Sequence, residues 1–269
     1  MTHFMLTFFN LIYSKLFYLI LPIALLQIFL VPGLILNFFF KYKSNIFSLI
    51  LNCFVFSLVL NYFFILILTF LGLYKTYIIW LLIIVEFLII FLFWKKILNN
   101  LNNNFQNTKL LLENLINQNL INKIIFYLCI FLSGIFIIYY IPFIKEEKLG
   151  FFQIFNLGDA LYTYSQQAFL WFQGEIPPSA FLKPQLWFSN VSLIYVIFNN
   201  GYLEPFSKII FILVPLYIFI GLIGLSISSK NILFLFSGII GLNLILTNTY
   251  ALSTSGYLEI PQILGFLIF

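Results

Sequence analysis

Long apolar runs alternate with short polar segments along most of the chain, and this pattern predicts helices that cross a membrane. One such helix needs about 20 mainly apolar residues to cross the hydrocarbon core. Six runs reach this length, and a further apolar run begins at residue 257. The six predicted spans are 16–40, 46–73, 76–94, 124–143, 206–227 and 231–249. The expected fold is all-α, a polytopic transmembrane helical bundle of six to seven spans.

Two segments depart from this pattern. Residues 97–123 are rich in Asn, with Leu and Phe at helical spacing, which predicts an amphipathic connector on the cytoplasmic surface. Residues 185–199 are apolar but short, so they are expected to lie in the interface or to re-enter the membrane. The connector divides the chain into three parts, a three-span accessory bundle at 1–96, the connector at 97–123, and a C-terminal part at 124–269.

Composition supports the membrane assignment, because apolar residues make up 63% of the chain and charged residues 8%. A soluble fold has too little polar surface at these values. All basic residues are lysine, and Phe, Ile, Leu and Asn dominate, which is typical of an AT-rich bacterial genome. The net charge of +5 is therefore no sign of a nucleic-acid partner. Membrane lipids are the expected surroundings.

Lysine placement predicts the orientation, since short cytoplasmic loops carry an excess of positive charge. The connections that hold Lys41, Lys95 and Lys230 are expected to be cytoplasmic, and the one that holds Lys75 to be outside. This alternation places the loop 144–205, with short interfacial helices, on the outer or periplasmic face. The protein is thus expected to be a multi-pass protein of the cytoplasmic (inner) membrane.

Few residues offer chemistry. Cys53 and Cys129 lie in separate apolar runs without metal-ligand spacing, and they are interpreted as core residues. The single histidine, His3, lies at the start of the chain, so no His-based triad is expected. Asp159 is the only aspartate, and it precedes a run that ends at Gly174. It is either the N-cap of a helix over this run or a catalytic carboxylate, and one residue can serve in both roles.

Two outer segments resemble parts of a known superfamily. The first contains Gly158 to Tyr162, then the helix end Phe169 to Gly174, then Lys183 to Trp187 before a short apolar helix. It resembles the first outer loop of GT-C glycosyltransferases, most closely the protein-mannosyltransferase-like members that use polyprenyl-phosphate sugars. The second, Ala251 to Pro261, is similar to a segment that many bacterial members carry at the start of a later span.

The resemblance implies an inverting glycosyltransferase, if the chain is active, that moves a sugar from a polyprenyl-phosphate-linked donor to an acceptor hydroxyl on the outer face. Asp159 then takes the hydroxyl proton or orients the acceptor. Glu259 orients the acceptor or a divalent metal ion as cofactor, or else it is a favourable charge at a helix N-terminus. Lys183 neutralises the donor phosphate or anchors at the headgroups. The aromatic residues assigned to substrate binding are Tyr162, Trp187 and Tyr257.

Two features favour other interpretations. Members of this superfamily continue for further spans, so 124–269 is expected to be the start of a GT-C-like core that a partner chain completes. Glu86 lies in the middle of the 76–94 span, where an ionised carboxylate is costly. The alternative function is a non-enzymatic membrane subunit or transporter with Glu86 as its key group. An enzyme predicts a cavity at the outer face, and a transporter predicts a polar path past Glu86.

Overall fold

The computed structural model describes residues 15–40, 45–117, 119–145, 166–178, 185–201 and 209–241, and these residues form helices and a few turns, with no strand among them. The all-α class is therefore confirmed. In chain order the helices are α1 Lys15–Phe29, α2 Val31–Phe40, α3 Ile46–Phe70, α4 Thr76–Asn117, α5 Leu120–Lys145, α6 Gln166–Phe172, α7 Leu186–Phe198, α8 Ile209–Ser229 and α9 Ile232–Gly241.

Three helical segments of the described residues are long and apolar enough to cross a membrane, and they confirm the first three predicted positions. They are Leu19–Phe40, Ile46–Phe70 and Thr76–Asn117. The first combines most of α1 with α2, and the main-chain bonds continue through Leu30, from Leu30 N to Leu26 O at 2.9 Å and from Leu34 N to Leu30 O at 2.8 Å. The count of six to seven spans stays a prediction.

Helix α4 is longer than its apolar run, because it continues unbroken for 42 residues from Thr76 to Asn117. At 1.5 Å per residue it measures about 63 Å, twice the thickness of the hydrocarbon core. The span 76–94 and the first part of the connector 97–123 are thus one helix. The physical reason is that no Gly or Pro interrupts this stretch, and Asn costs at most about 0.7 kcal/mol per helical position.

The membrane part of α4 has an inner and an outer face. Ile79, Ile83 and Glu86 are buried, at the three- and four-residue spacing of one helix face. Leu88 and Phe91, in contrast, are among its exposed apolar side chains, and Phe91 is 78% exposed. Such a surface is stable only against lipid, so Glu86 lies on the side of α4 that faces protein.

The described residues belong to two compact units, here named unit 1 and unit 2. Unit 1 comprises 1–39, 53–92 and 154–207. Its most enclosed element is α7, in which every side chain from Trp187 to Ile197 is buried. The Asn190 side chain on α7 donates a hydrogen bond to Leu58 O, 3.0 Å away, at the middle of α3. Helix α7 therefore packs against the middle of α3, and its placement in the interface or as a re-entrant segment stays a prediction.

Unit 2 comprises 40–52, 93–153 and 208–269. Asn45 caps α3 by accepting a bond from Ser48 N at 2.8 Å, and it donates to Gly224 O at 3.0 Å. A Cβ atom added to Gly224 would lie 2.7 Å from Ser48 Oγ, so only a glycine permits this approach. Small residues at helix contacts are characteristic of membrane bundles, and this contact fixes the start of α3 against α8.

Candidate functional site

Five of the six residues assigned to the site lie outside the described residues, namely Asp159, Tyr162, Lys183, Tyr257 and Glu259. The sixth, Trp187, lies in the first turn of α7. Its side chain is 9% exposed, and its ring centroid is 6.4 Å from that of Phe54. The Trp187 ring therefore packs within unit 1, and its proposed stacking on a substrate stays a prediction.

The structure does bring together the two described segments on which the resemblance rests. Trp171, in α6, donates a hydrogen bond from Nε1 to Gln185 Oε1 at 3.1 Å. Gln185 in turn donates from Nε2 to Gln167 Oε1 at 2.8 Å. All three side chains are buried. Because an amide pair and an indole satisfy one another there, α6 is held firmly against the start of α7.

A cavity of about 620 Å³ opens where four helix ends of unit 1 meet. The ends of α3, α6 and α7 and the beginning of α4 form its walls. This volume falls within the range of small-molecule sites, about 300–1,000 Å³. Phe172 and Val196 contribute apolar surface. The hydroxyl and amide groups of the lining belong to Thr69, Tyr74, Thr76, Tyr77, Gln173 and Asn199.

Three of the helices around this cavity end in the same way. Gly72, Gly174 and Asn199 follow α3, α6 and α7, with φ of 68°, 79° and 50°. Gly and Asn are the residues that adopt this left-handed conformation most readily at a helix end. The next residue closes each helix with a main-chain bond across its last turn, Leu73 N to Leu68 O at 2.7 Å, Glu175 N to Leu170 O at 2.9 Å and Asn200 N to Tyr195 O at 2.8 Å.

The charges around the cavity nearly cancel. Lys75 is the one charged side chain in the described lining, and it precedes the positive N-terminus of α4. A helix end carries about half an elementary charge, so Lys75 and this N-terminus sum to about +1.5, and three helix C-termini to about −1.5. The cavity therefore suits an uncharged ligand better than a free anion.

Two hydroxyl groups of the lining are placed differently. The Thr69 side chain is 6% exposed, and its Oγ1 has no hydrogen-bond partner among the described residues. The Tyr74 hydroxyl lies 2.8 Å from Ser192 Oγ. Burial raises the pKa of Tyr74, against the smaller opposing effect of the Ser192 bond, so the phenol stays neutral. The Thr69 oxygen is thus buried without a partner among the described residues, whereas the Tyr74 hydroxyl is already engaged.

A second polar cluster lies deeper in unit 1 and is formed by Gln27, Asn61 and Glu86, which are 1%, 2% and 8% exposed. Gln27 Nε2 donates to Asn61 Oδ1 at 3.4 Å, and Asn61 Nδ2 donates to Gln27 O at 3.2 Å. The Gln27 side chain also lies beside the Glu86 carboxyl group. In the described part of the chain, Gln27 Oε1 and Glu86 Oε2 are buried without a partner.

This cluster lies well inside the apolar helices α3 and α4. Asn61 is nine residues from the end of α3 at Phe70, and Glu86 is ten residues from the start of α4 at Thr76. At 1.5 Å per residue these are distances of about 14 and 15 Å along the helices, which equal half the thickness of a 30 Å hydrocarbon core. Glu86 was evident from the sequence as a candidate functional residue, whereas Gln27 and Asn61 were not. Their polarity within apolar runs, and their matching distances from the helix ends, were the available signal.

Comparisons of the chain with protein-family models, with curated proteins and with solved structures find no match.

Proposed function

We propose that this protein takes part in sugar transfer at the outer face of the bacterial inner membrane, from a polyprenyl-phosphate-linked donor to an acceptor hydroxyl group. The observation that carries the proposal is the cavity at the ends of α3, α4, α6 and α7. Its wall at Phe172, Gln173 and Gly174 is the end of the segment that resembles the outer loop of GT-C enzymes. The lysine distribution puts this loop and Lys75 on one face, and both border the cavity.

The lining matches the chemistry of a sugar. A sugar ring carries several hydroxyl groups that both donate and accept hydrogen bonds, and the amides of Gln173 and Asn199 do the same. Its C–H faces pack against aromatic rings, here those of Tyr77 and Phe172. The near cancellation of charge favours an uncharged sugar over its phosphate. In the proposal this cavity holds the acceptor, and the donor phosphate is bound elsewhere, by Lys183.

The reaction needs one base and one leaving group. Asp159 accepts the proton of the acceptor hydroxyl as the oxygen attacks the anomeric carbon of the donor sugar. The bond from that carbon to the polyprenyl phosphate breaks at the same time, and the phosphate leaves with the electron pair. Glu259 orients the acceptor or a divalent metal ion. Inversion at the anomeric carbon follows from this single displacement.

The test is transfer from a panel of polyprenyl-phosphate sugars by membranes that contain the full chain. Asp159→Asn is the central variant, because Asn caps a helix about as well as Asp but cannot accept the proton. We expect turnover to fall by about 10²-fold or more with unchanged thermal stability in detergent. Full activity of Asp159→Asn at unchanged stability would leave Asp159 a helix cap, and no transfer from any donor would reject the proposed function.

The cavity has its own matched pair of variants. Asn199→Gly removes an amide from the lining and keeps the left-handed conformation, which Gly adopts freely. Lys230→Gly makes the same kind of change at the end of α8, where φ is 55°, with no contact to the lining. We expect Asn199→Gly to raise the KM for the acceptor several-fold, and Lys230→Gly to leave it unchanged. Equal acceptor KM values in the two variants would show that the cavity does not bind the acceptor.

A further inference from the structure

We propose that Gln27, Asn61 and Glu86 form a binding site for a small monovalent cation, a proton or a sodium ion, in the middle of the membrane. The site is independent of sugar transfer and uses no residue of the cavity. It joins three helices of unit 1, since Gln27 belongs to α1, Asn61 to α3 and Glu86 to α4.

Two buried side-chain oxygens of the cluster have no hydrogen-bond donor among the described residues. The Gln27 amide donates to Asn61 Oδ1 at 3.4 Å, and the Gln27 side chain lies beside the Glu86 carboxyl group. The Asn61 amide donates to the main-chain oxygen of Gln27. Two buried oxygens of the described residues, Gln27 Oε1 and Glu86 Oε2, then receive nothing. A cation between such oxygens provides the missing positive partner.

The position of Glu86 makes that partner necessary. A carboxylate in the hydrocarbon region without a compensating charge is strongly unfavourable, and buried polar groups also cost free energy when they are unpaired. Gln27 and Asn61 are uncharged, so they stabilise a carboxylate only through dipoles. The Glu86 carboxyl group therefore holds either a proton or a metal cation when the protein is folded in the membrane.

The number of charges limits the cation to one positive charge. Glu86 is the only acidic residue of the described part of unit 1 that lies within a membrane-spanning helix. No group of three or more His, Cys, Asp or Glu side chains occurs among the described residues. A single carboxylate neutralises one charge, and the amide oxygens of Gln27 and Asn61 are the uncharged oxygen ligands that hard cations accept. A divalent ion would retain an unbalanced charge.

One face of α3 connects the cluster to the cavity. Asn61, Ile65 and Thr69 lie four residues apart on this face, and all three are buried. Thr69 is part of the cavity lining. The cluster and the cavity are thus about 12 Å apart along α3, with the Ile65 side chain between them.

Labelling with dicyclohexylcarbodiimide tests the site in the full-length protein in lipid nanodiscs. This apolar reagent reacts with protonated carboxyl groups, and mass spectrometry identifies the modified residue. We expect Glu86 to be modified in choline buffer, and Glu86→Gln to show no modification there. Glu113 is the matched control, because it is 54% exposed and lies 4.0 Å from Lys109, and we expect it to stay unmodified.

The effect of sodium on the labelling rate of Glu86 distinguishes a sodium site from a proton site. If sodium is the ligand, it slows modification of Glu86 about tenfold at ten times its dissociation constant. Modification that is unaffected by sodium assigns a proton. A folded protein in which Glu86 resists the reagent, although the unfolded chain is modified at the same residue, would overturn the proposal.

Two further variants distinguish the loss of a cation ligand from a general effect of removing a buried amide. Asn61→Leu removes an amide of the cluster, and Asn37→Leu removes a buried amide of unit 1 that contacts Gly33 and Cys53 instead. Asn61→Leu should change the modification rate of Glu86, or the protection by sodium, by at least fivefold. Asn37→Leu should change neither. Equal rates and protection in the two variants would reject Asn61 as part of the site.

Discussion

Asn190 on α7 and Leu58 on α3 are joined by a hydrogen bond of 3.0 Å from the Asn190 Nδ2 to the Leu58 main-chain oxygen. Leu58 is twelve residues from either end of α3, so the bond lies at the midpoint of a membrane-spanning helix. Asn190 is fully buried and also donates to Leu186 O at 2.7 Å. The Asn190 side chain thus fixes the position of the short helix α7 along the long helix α3.

We predict that Asn190→Ala destabilises the protein by about 1–2 kcal/mol. The variant loses the two hydrogen bonds that Asn190 donates. Leu58 O remains part of the main-chain hydrogen-bond pattern of α3, so it is not left as an unpaired buried acceptor. Thermal unfolding in detergent measures the change. Asn103→Ala, at an exposed position on α4, is the control and should be within about 0.5 kcal/mol of the wild type. Equal stability of the two variants would show that the Asn190 bond contributes nothing.

The approach of α2 to α3 gives a second prediction. A Cβ atom on Gly33 would overlap the main chain of Cys53, whereas one on Gly134 would meet nothing within 4 Å. Gly33→Ala should therefore cost about 3 kcal/mol or more, because two backbones must separate. Gly134→Ala should be neutral or stabilise by up to about 1 kcal/mol, since Ala favours a helix over Gly. If both variants unfold at the wild-type temperature, α2 and α3 do not approach this closely.

Cysteine labelling tests the orientation, in a chain with Cys53 and Cys129 replaced by Ala. Tyr77 is 62% exposed and borders the same cavity as Gln173. Tyr77→Cys and Gln173→Cys should therefore both react with an impermeant maleimide in intact spheroplasts. Asn103 lies 26 residues further along α4 than Tyr77, about 39 Å away, so Asn103→Cys should react only after permeabilisation. Reaction of Asn103→Cys in intact spheroplasts would reverse the topology.

Tyr74 gives a prediction with a defined pH dependence. The Ser192 hydroxyl donates its hydrogen to Ser189 O at 2.6 Å, so Tyr74 is the donor in the bond to Ser192. Tyr74→Phe should cost about 1 kcal/mol at pH 7.

The pH response of the same variant has a fixed sign. The pKa of Tyr74 is raised above its ordinary value of 10.0, so only the unfolded chain ionises this group as the pH rises past 10. The wild type should therefore lose stability relative to Tyr74→Phe from about pH 10 upward. Thermal unfolding at pH 7 and pH 10.5 measures both effects. A constant difference between the two proteins would contradict the burial of the phenol.

Hydrophobicity was sufficient to locate α1 to α4, since each membrane helix must satisfy its backbone internally over a fixed thickness. The end of α4 was harder to predict, because an Asn-rich stretch loses the apolar signal while keeping helical geometry. The burial of α7 was not evident either. A continuous apolar run has no periodicity that distinguishes a lipid-facing surface from a protein-facing one.

The candidate sites were only partly predictable for a different reason. Glu86 was evident as a lone acid in a span, but its partners Gln27 and Asn61 are distant in sequence, and only the packing of α1 against α3 brings the three together. The cavity depends on three helices that end at one level, at Gly72, Gly174 and Asn199. Each of these three residues could be predicted individually as the end of a helix. No local sequence pattern predicts that the three helix ends lie around one cavity.

The enclosure of α7 also constrains the order in which the chain is assembled during synthesis. A helix of 13 residues is about 20 Å long and too short to span the lipid. Its buried Asn190, Ser189 and Ser192 disfavour entry into lipid alone. Its partner α3 precedes it in the chain, so the ribosome synthesises α3 first. We therefore expect α7 to be inserted against a protein surface that is already in place.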